Sequence, residues 1–240
     1  MSDAPLPFVA LILAAGQGIR MGASMPKAWL EIDGKSILHW SAERMARVPG
    51  HLATVLAIDE PSLEERIPPI RAALEAVRVS AIVPGGASRQ ESCERAFAAA
   101  GPHLEQARTL LVHDAARPFF PIPETTEAIR LAAENGGALL GHRARDTLKR
   151  IDAEGRVLGT VDRNEIFQAA TPQCFRRDLF ARMLSEARER GIQGTDDAGL
   201  AEACGIPVHA VECPSTNLKL TWPEDLSLIP SLIHLLHPET

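Results

Sequence analysis

The chain has 240 residues, 45% of them hydrophobic, with 25 Lys and Arg against 31 Asp and Glu, a formal net charge of −6. That length and apolar content suit one folded domain with a sizeable core and exclude a disordered chain. An acidic chain does not attract nucleic acid or an anionic membrane through its net field, so any anionic ligand must be held by a local group of cations.

The N-terminal Met1-Ser-Asp-Ala-Pro-Leu-Pro lacks the basic start of a secretory signal, and the apolar run Phe8 to Ala15 is too short to span a bilayer. The chain reads as cytoplasmic. Four cysteines, at 93, 174, 204 and 213, form no CxxC pair and read as reduced structural thiols rather than zinc ligands or disulfides.

From the N-terminus, strands are expected at Phe8–Leu13, Thr54–Ile58, Val77–Val83, Thr109–Val112, Ala138–Gly141 and Val208–Val211. Between them Ile37–Arg47, Ser62–Ala76, Ser88–Ala100, Pro123–Asn135, Arg177–Arg190 and Asp196–Ala203 have helical length and pattern. Ser36, Ser62 and Ser88 stand as helix caps. Short apolar strands alternating with helices predict a single Rossmann-like, doubly wound α/β domain over 1–240 with a mostly parallel sheet. One stretch breaks the rhythm. Asp146–Ile151 and Arg156–Val161, joined by Asp-Ala-Glu-Gly, predict an inserted β-hairpin arm at about 142–165.

The first strand runs into Ala14-Ala15-Gly16-Gln17-Gly18-Ile19-Arg20-Met21-Gly22, followed by Pro26-Lys27. A glycine-rich turn after the first strand of a doubly wound sheet is where phosphates bind. The dinucleotide fingerprint fails because Met21 stands where its third glycine belongs, and the P-loop fails because Trp29 stands where its first glycine belongs. What remains is either a tight turn beside two surface cations, or a glycine nest in which Arg20 and Lys27 hold a triphosphate.

Three further segments carry candidate chemistry. Asp114 and Arg117 of His113-Asp-Ala-Ala-Arg-Pro follow a strand; Asp114 is either a magnesium ligand or a cap paired with Arg117. Pro84-Gly-Gly-Ala-Ser-Arg-Gln-Glu-Ser92 is a second glycine turn, able to meet a base or simply to start a helix. Asn217-Leu-Lys-Leu-Thr-Trp-Pro-Glu-Asp-Leu226 places Lys219 where it could meet phosphates from the other side, again after an expected strand.

Taken together, A-A-G-x-G-x-R-M with P-K at 26–27, G-G-x-x-R-x-x-S at 85–92, H-D-A-A-R-P at 113–118 and D-T-x-K-R at 146–150 form an ordered set. V-D-R-N at 161–164, T-P-Q at 171–173, T-D-D at 195–197, and N-x-K-x-T with P-E-D-L complete it over roughly residues 8–229. This set resembles the 2-C-methyl-D-erythritol 4-phosphate cytidylyltransferase family. The resemblance implies transfer of a cytidylyl group from CTP to methylerythritol phosphate with Mg2+ as cofactor and pyrophosphate as by-product.

By the same resemblance, Arg20, Lys27, Arg163 and Lys219 are catalytic, with Arg20 and Lys27 stabilising the triphosphate. Ala14, Ala15, Gly16, Gly18, Gly85, Gly86 and Ser92 line the nucleotide site. Asp114, Arg117, Thr147, Lys149, Thr171 and Thr195 serve the acceptor, Asp114 also the metal. Thr147, Lys149 and Arg163 would reach the site of a neighbouring subunit, making a homodimer through the hairpin arm. Leu13 and Ala87 depart from the family pattern, where proline and an acidic residue are common, and both fall near the expected base site. His113 is read as structural, because the acceptor is already an anion and offers it no proton to take.

Other readings separate by their residues. A ribitol 5-phosphate cytidylyltransferase would share the loop and lysines but not the V-D-R-N and D-T-x-K-R segments. An NAD-dependent oxidoreductase needs an acid about twenty residues after the fingerprint, whereas Asp59 lies about forty beyond Gly16. A nucleotide-sensing module would not need so complete a set of phosphate cations.

Overall fold

The computed structural model describes residues 4–16 and 26–237. In chain order they form β1 (Phe8–Ala14), the two-residue strands β2 (Glu31–Ile32) and β3 (Lys35–Ser36), α1 (Ile37–Ala46) and β4 (His51–Ile58). Next come α2 (Glu60–Glu65), α3 (Arg71–Ala76), β5 (Val79–Pro84), α4 (Arg89–Ala99), the single turn α5 (His103–Gln106), β6 (Thr109–Asp114), α6 (Ile122–Asn135) and β7 (Gly137–Arg143). The hairpin strands β8 (Leu148–Ile151) and β9 (Val157–Val161) follow, then β10 (Phe167–Arg176), α7 (Arg177–Arg190), α8 (Asp197–Ala203), β11 (Val208–Glu212) and the short α9 (Ile229–Leu232).

Seven strands make the central sheet in the order β11-β7-β10-β6-β1-β4-β5. All run parallel except β10, which is antiparallel to both neighbours. Every residue of β1 is buried, because the sheet is covered on both sides. Phe8, Ala10 and Ile12 pack with Leu38 and Met45 of α1 and Ala128 of α6. Val9 and Leu11 face the other way, into a cluster with Cys93 of α4 and Phe180 and Met183 of α7. All four cysteines are free and buried, as their spacing predicts. The doubly wound reading therefore holds. The chain leaves β1 toward β4 on one side and returns to β6 on the other, so the two strands flank the switch point where such sheets bind ligands.

Three local expectations are corrected. The single helix over Ser62–Ala76 is two helices separated by a 3-10 turn at Pro68–Ile70. The pair Pro68-Pro69 supplies no N–H groups to a continuous helix. Ser62 is not the cap: Asp59 is, with its carboxylate accepting from the Ser62 N–H at 3.2 Å and hydroxyl at 2.7 Å. Ser36 and Ser88 do cap, accepting from His39 and Glu91.

The third correction is β10, which sequence patterning missed. Its stretch Phe167–Gln173 shows no regular alternation of apolar and polar residues, and a proline is normally kept out of a central strand. Pro172 is tolerated because β10 pairs with β7 at Phe167–Ala169 and again at Gln173–Phe175, with an irregularity between. Thr171-Pro172-Gln173 thus belongs to the central sheet.

The arm itself forms as expected. β8 and β9 pair antiparallel, Leu148 opposite Val161 and Lys149 opposite Thr160, as a sheet separate from the central one. Its turn needs Gly155 at φ +81° and is closed by the Asp152 carboxylate, which accepts the N–H groups of Glu154 at 3.1 Å and Arg156 at 2.8 Å. Ile151, Val157 and Leu158 stand exposed on it.

Candidate active site

A cleft of about 610 Å3 opens at the carboxyl ends of β1 and β6. Leu13, Ala14, Ala15 and Gly16 form its floor, with Lys27 beyond them. Lys27 begins a 3-10 turn, Lys27–Trp29, whose Ala28 and Trp29 are buried and so anchor the residue behind the cleft. Gly18 and Arg20 lie outside the described residues.

The second glycine turn forms another wall. A Cβ on Gly85 would lie 2.2 Å from the Cβ of Ala15, so glycine is what lets the two turns approach this closely. The Ser92 hydroxyl accepts the Gly86 N–H at 2.9 Å and donates to the Ser88 carbonyl at 2.9 Å, fixing the turn at the start of α4. At Ala87 the main-chain N–H is taken by Glu91 Oε2 at 2.8 Å.

Asp114 closes β6 and supplies the carboxylate of the cleft. Lys219 Nζ donates to its Oδ2 at 2.6 Å and Arg89 Nε to its Oδ1 at 3.2 Å. Burial alone would push the Asp114 pKa up, but Arg89 and then Lys219 outweigh it and hold the carboxyl well below the usual range. Lys219 does not follow a strand, as the sequence suggested. It sits in an irregular segment beyond β11 that docks through the Leu220 N–H on the Ala116 carbonyl at 2.9 Å. Packing of Leu220 with Ile37, Trp40 and Phe119 holds that segment in place.

Around this carboxylate the remaining candidates separate. The Thr171 hydroxyl is buried, accepting the Asp114 N–H at 3.0 Å and lying 3.1 Å from His113 Nδ1. Arg117 is turned away from the cleft lining and donates to the Asn217 carbonyl at 2.8 Å. Thr195 is exposed in the turn before α8. Thr147, Lys149 and Arg163 are exposed on or beside the arm, and none lines the cleft of its own chain. Lys149 donates to Thr160 Oγ1 at 2.6 Å and Arg163 to the Arg145 carbonyl at 2.7 Å.

Two charged residues of the site were not singled out from sequence. Arg89, besides holding Asp114, donates from Nη1 to Asp197 Oδ2 at 2.6 Å. A signal existed for it: a cation at the first position of a helix is opposed by the helix dipole, so it needs anionic partners. Asp197, the first residue of α8, is the last letter of the T-D-D segment, but an acid at a helix start is ordinary and by itself assigns no role.

Among the described residues no cluster of three or more His, Cys, Asp or Glu could form a metal cage. Magnesium is commonly held by one or two carboxylates together with substrate phosphates, and the ionised Asp114 is a donor of that kind.

An open α/β sheet with a basic, glycine-walled cleft at its switch point defines a phosphate-handling nucleotide enzyme. Comparison with known proteins makes this specific. The family model of 2-C-methyl-D-erythritol 4-phosphate cytidylyltransferase matches residues 8–234, and the chain belongs to that family. A protein of that name from Pseudomonas fluorescens is 40% identical over 232 residues, covering 94% of this chain and 95% of the relative. One from Aeromonas hydrophila is 37% identical over 228 residues, covering 95% and 90%. The crystal structure of the cytidylyltransferase from Thermus thermophilus superposes with a TM-score of 0.75 at 31% identity, covering 95% of this chain and all of that one.

Proposed function

We infer that this protein transfers the cytidylyl group of CTP to the phosphate of 2-C-methyl-D-erythritol 4-phosphate, giving 4-diphosphocytidyl-2-C-methyl-D-erythritol and pyrophosphate. The observation that carries this is the family match over residues 8–234, within which Lys27, Asp114 and Lys219 line one cleft.

In this reaction an oxygen of the acceptor phosphate bonds to the α-phosphorus of CTP. The bond from that phosphorus to the bridging oxygen breaks, and its electron pair leaves with pyrophosphate. The acceptor monoester has a second pKa of about 6 and is largely a dianion near neutrality, so no general base is required. His113 fits that chemistry as a bystander: burial first, opposed by Asp114 and helped by Arg117, takes its pKa down to about 3. The barrier is repulsion between anions, lowered by preorganised cations. Lys27 and Lys219, which line the same cleft, are assigned to the triphosphate, and Arg20, in the glycine loop, is assigned with them. Ala14, Ala15, Gly16, Gly18, Gly85, Gly86 and Ser92 make the nucleotide site. Magnesium, when bound, neutralises charge on the triphosphate, and Asp114 is the residue that would hold it.

Asp114 also orients the acceptor polyol, with Arg117 and Thr171 fixing the strand end behind it, and Thr195, exposed before α8, is assigned to the acceptor with them. Thr147, Lys149 and Arg163 point to a shared site, because they lie away from their own cleft on an arm that also exposes Ile151, Val157 and Leu158. A homodimer covering those apolar residues would deliver Arg163 to the partner's acceptor phosphate. No helix of the described residues is long and apolar enough to cross a membrane, and a cytoplasmic location is proposed with this activity.

Incubating the protein with CTP, magnesium and methylerythritol phosphate should release pyrophosphate. Turnover with ribitol 5-phosphate in its place would move the reading to that cytidylyltransferase instead.

A further inference from the structure

Arg89 is one of two cations on the Asp114 carboxylate, and it is the one with a fixed support. Its Nε edge meets Asp114 and its Nη1 meets Asp197, which is 1% exposed. Asp114 is the last residue of β6, Arg89 the first of α4 and Asp197 the first of α8, so the guanidinium ties three element ends together. Both side chains line the cleft and are partly exposed, but Lys219 reaches Asp114 from an irregular segment on a flexible stem and, among the described residues, has no second carboxylate holding it. A substrate phosphate entering the cleft competes with Asp114 for that ammonium. The guanidinium has no such freedom, because Asp197 holds its far edge.

We propose that Arg89, braced by Asp197, is a positioning residue that aims the Asp114 carboxylate into the cleft and holds it there when Lys219 turns to a substrate phosphate. This rests on the reaction inferred above. It predicts that Arg89 acts only through Asp114, on the acceptor and on the metal that Asp114 would hold, and leaves metal-free binding of the nucleotide alone. A planar guanidinium is needed because one group must serve two carboxylates at different edges, and an ammonium at the same place can serve only one well.

The test is steady-state kinetics on Arg89→Gln, Arg89→Lys, Asp197→Asn, Asp114→Asn and the double variant Arg89→Gln/Asp114→Asn. Arg89→Gln is expected to lower kcat/KM for methylerythritol phosphate by about 10²-fold, the scale of a misplaced group in the site, with the affinity for CTP titrated without magnesium within about twofold. Arg89→Lys should recover part of that loss, and Asp197→Asn should show a smaller loss of the same kind. The double variant should be no worse than Asp114→Asn alone, since removing the carboxylate removes what Arg89 acts on. Losses that multiply, a metal-free CTP affinity that falls along with acceptor turnover, or a lysine variant no better than glutamine would each overturn the proposal.

Crystal structures of the wild type, Arg89→Lys and Asp197→Asn give a readout independent of turnover. The Asp114 carboxylate should leave its wild-type position in both variants, and an unmoved carboxylate would overturn the positioning role. A wild-type protein without cytidylyl transfer would overturn the reaction, while the structures would still decide whether Arg89 places Asp114.

Discussion

His113 Nδ1 lies 3.1 Å from the Thr171 hydroxyl, which is the donor of the pair. The Arg117 carbonyl, 3.2 Å from Nε2, can only accept, so Nε2 carries the proton of the neutral imidazole. Nδ1 is then the acceptor, and the Thr171 hydroxyl gives it a proton while accepting the Asp114 N–H. The buried imidazole thereby joins β6, β10 and the turn after β6, with neither nitrogen left for proton transfer.

Thr171→Val keeps the shape but removes both roles of the hydroxyl, leaving the Asp114 N–H and His113 Nδ1 without partners. A loss of about 1–3 kcal/mol in stability is expected from such unsatisfied buried groups. Urea denaturation measures it, and a change of no more than a few tenths of a kcal/mol would refute the hydroxyl's role in satisfying those groups.

The two buried histidines make the fold acid-sensitive in a defined window. His113 falls to about 3, and burial, with Arg78 adding, takes His51 to about 4, both below the ordinary 6.5. A depressed histidine pKa contributes stability that is fully present above the unfolded value of about 6.5 and lost as pH falls toward the folded one. For His51 the full contribution is on the order of 3 kcal/mol. Stability should therefore fall between pH 6.5 and 4, and His51→Gln should flatten that slope in denaturation curves recorded across the window.

Lys27→Ala should lose turnover far more than nucleotide affinity, by roughly 10²–10³ in kcat, the typical cost of one preorganised group that stabilises developing charge. Calorimetric titration with CTP beside steady-state kinetics separates the two effects. A variant with weaker CTP binding and normal kcat would assign Lys27 to ground-state binding alone.

Shared sites predict complementation. Arg163→Ala and Lys27→Ala dimers should each be nearly inactive, whereas a mixture allowed to exchange subunits should regain up to about a quarter of wild-type activity. In a random mixture half the dimers are hybrid, and each hybrid has one intact site. Absence of recovery, with exchange confirmed by mass, would place Arg163 in its own subunit's site.

Much of the fold was legible locally. β1, β4 and β6 announce themselves because each is a short apolar run buried on both faces, and α7 at Arg177–Arg190 matches its expected bounds because its apolar face recurs at helical spacing. The motif segments name the cleft's residues, since Ala14 to Gly16, Lys27, Gly86, Asp114 and Lys219 all line it. β10 was not legible, because its strand character comes from pairing with β6 and β7 and not from its own side chains.

The sequence by itself determined the doubly wound class and the family, for both depend on residue types in a given order. The net charge of −6 also required a local group of cations. Only the tertiary structure decided how that group is wired. Arg89 is 25 residues from Asp114 and 108 from Asp197 along the chain, and Lys219 is 105 from Asp114. Ion pairing acts over a few ångströms of space whatever the separation in sequence, so the partner of each charge is settled where β6 ends beside the starts of α4 and α8.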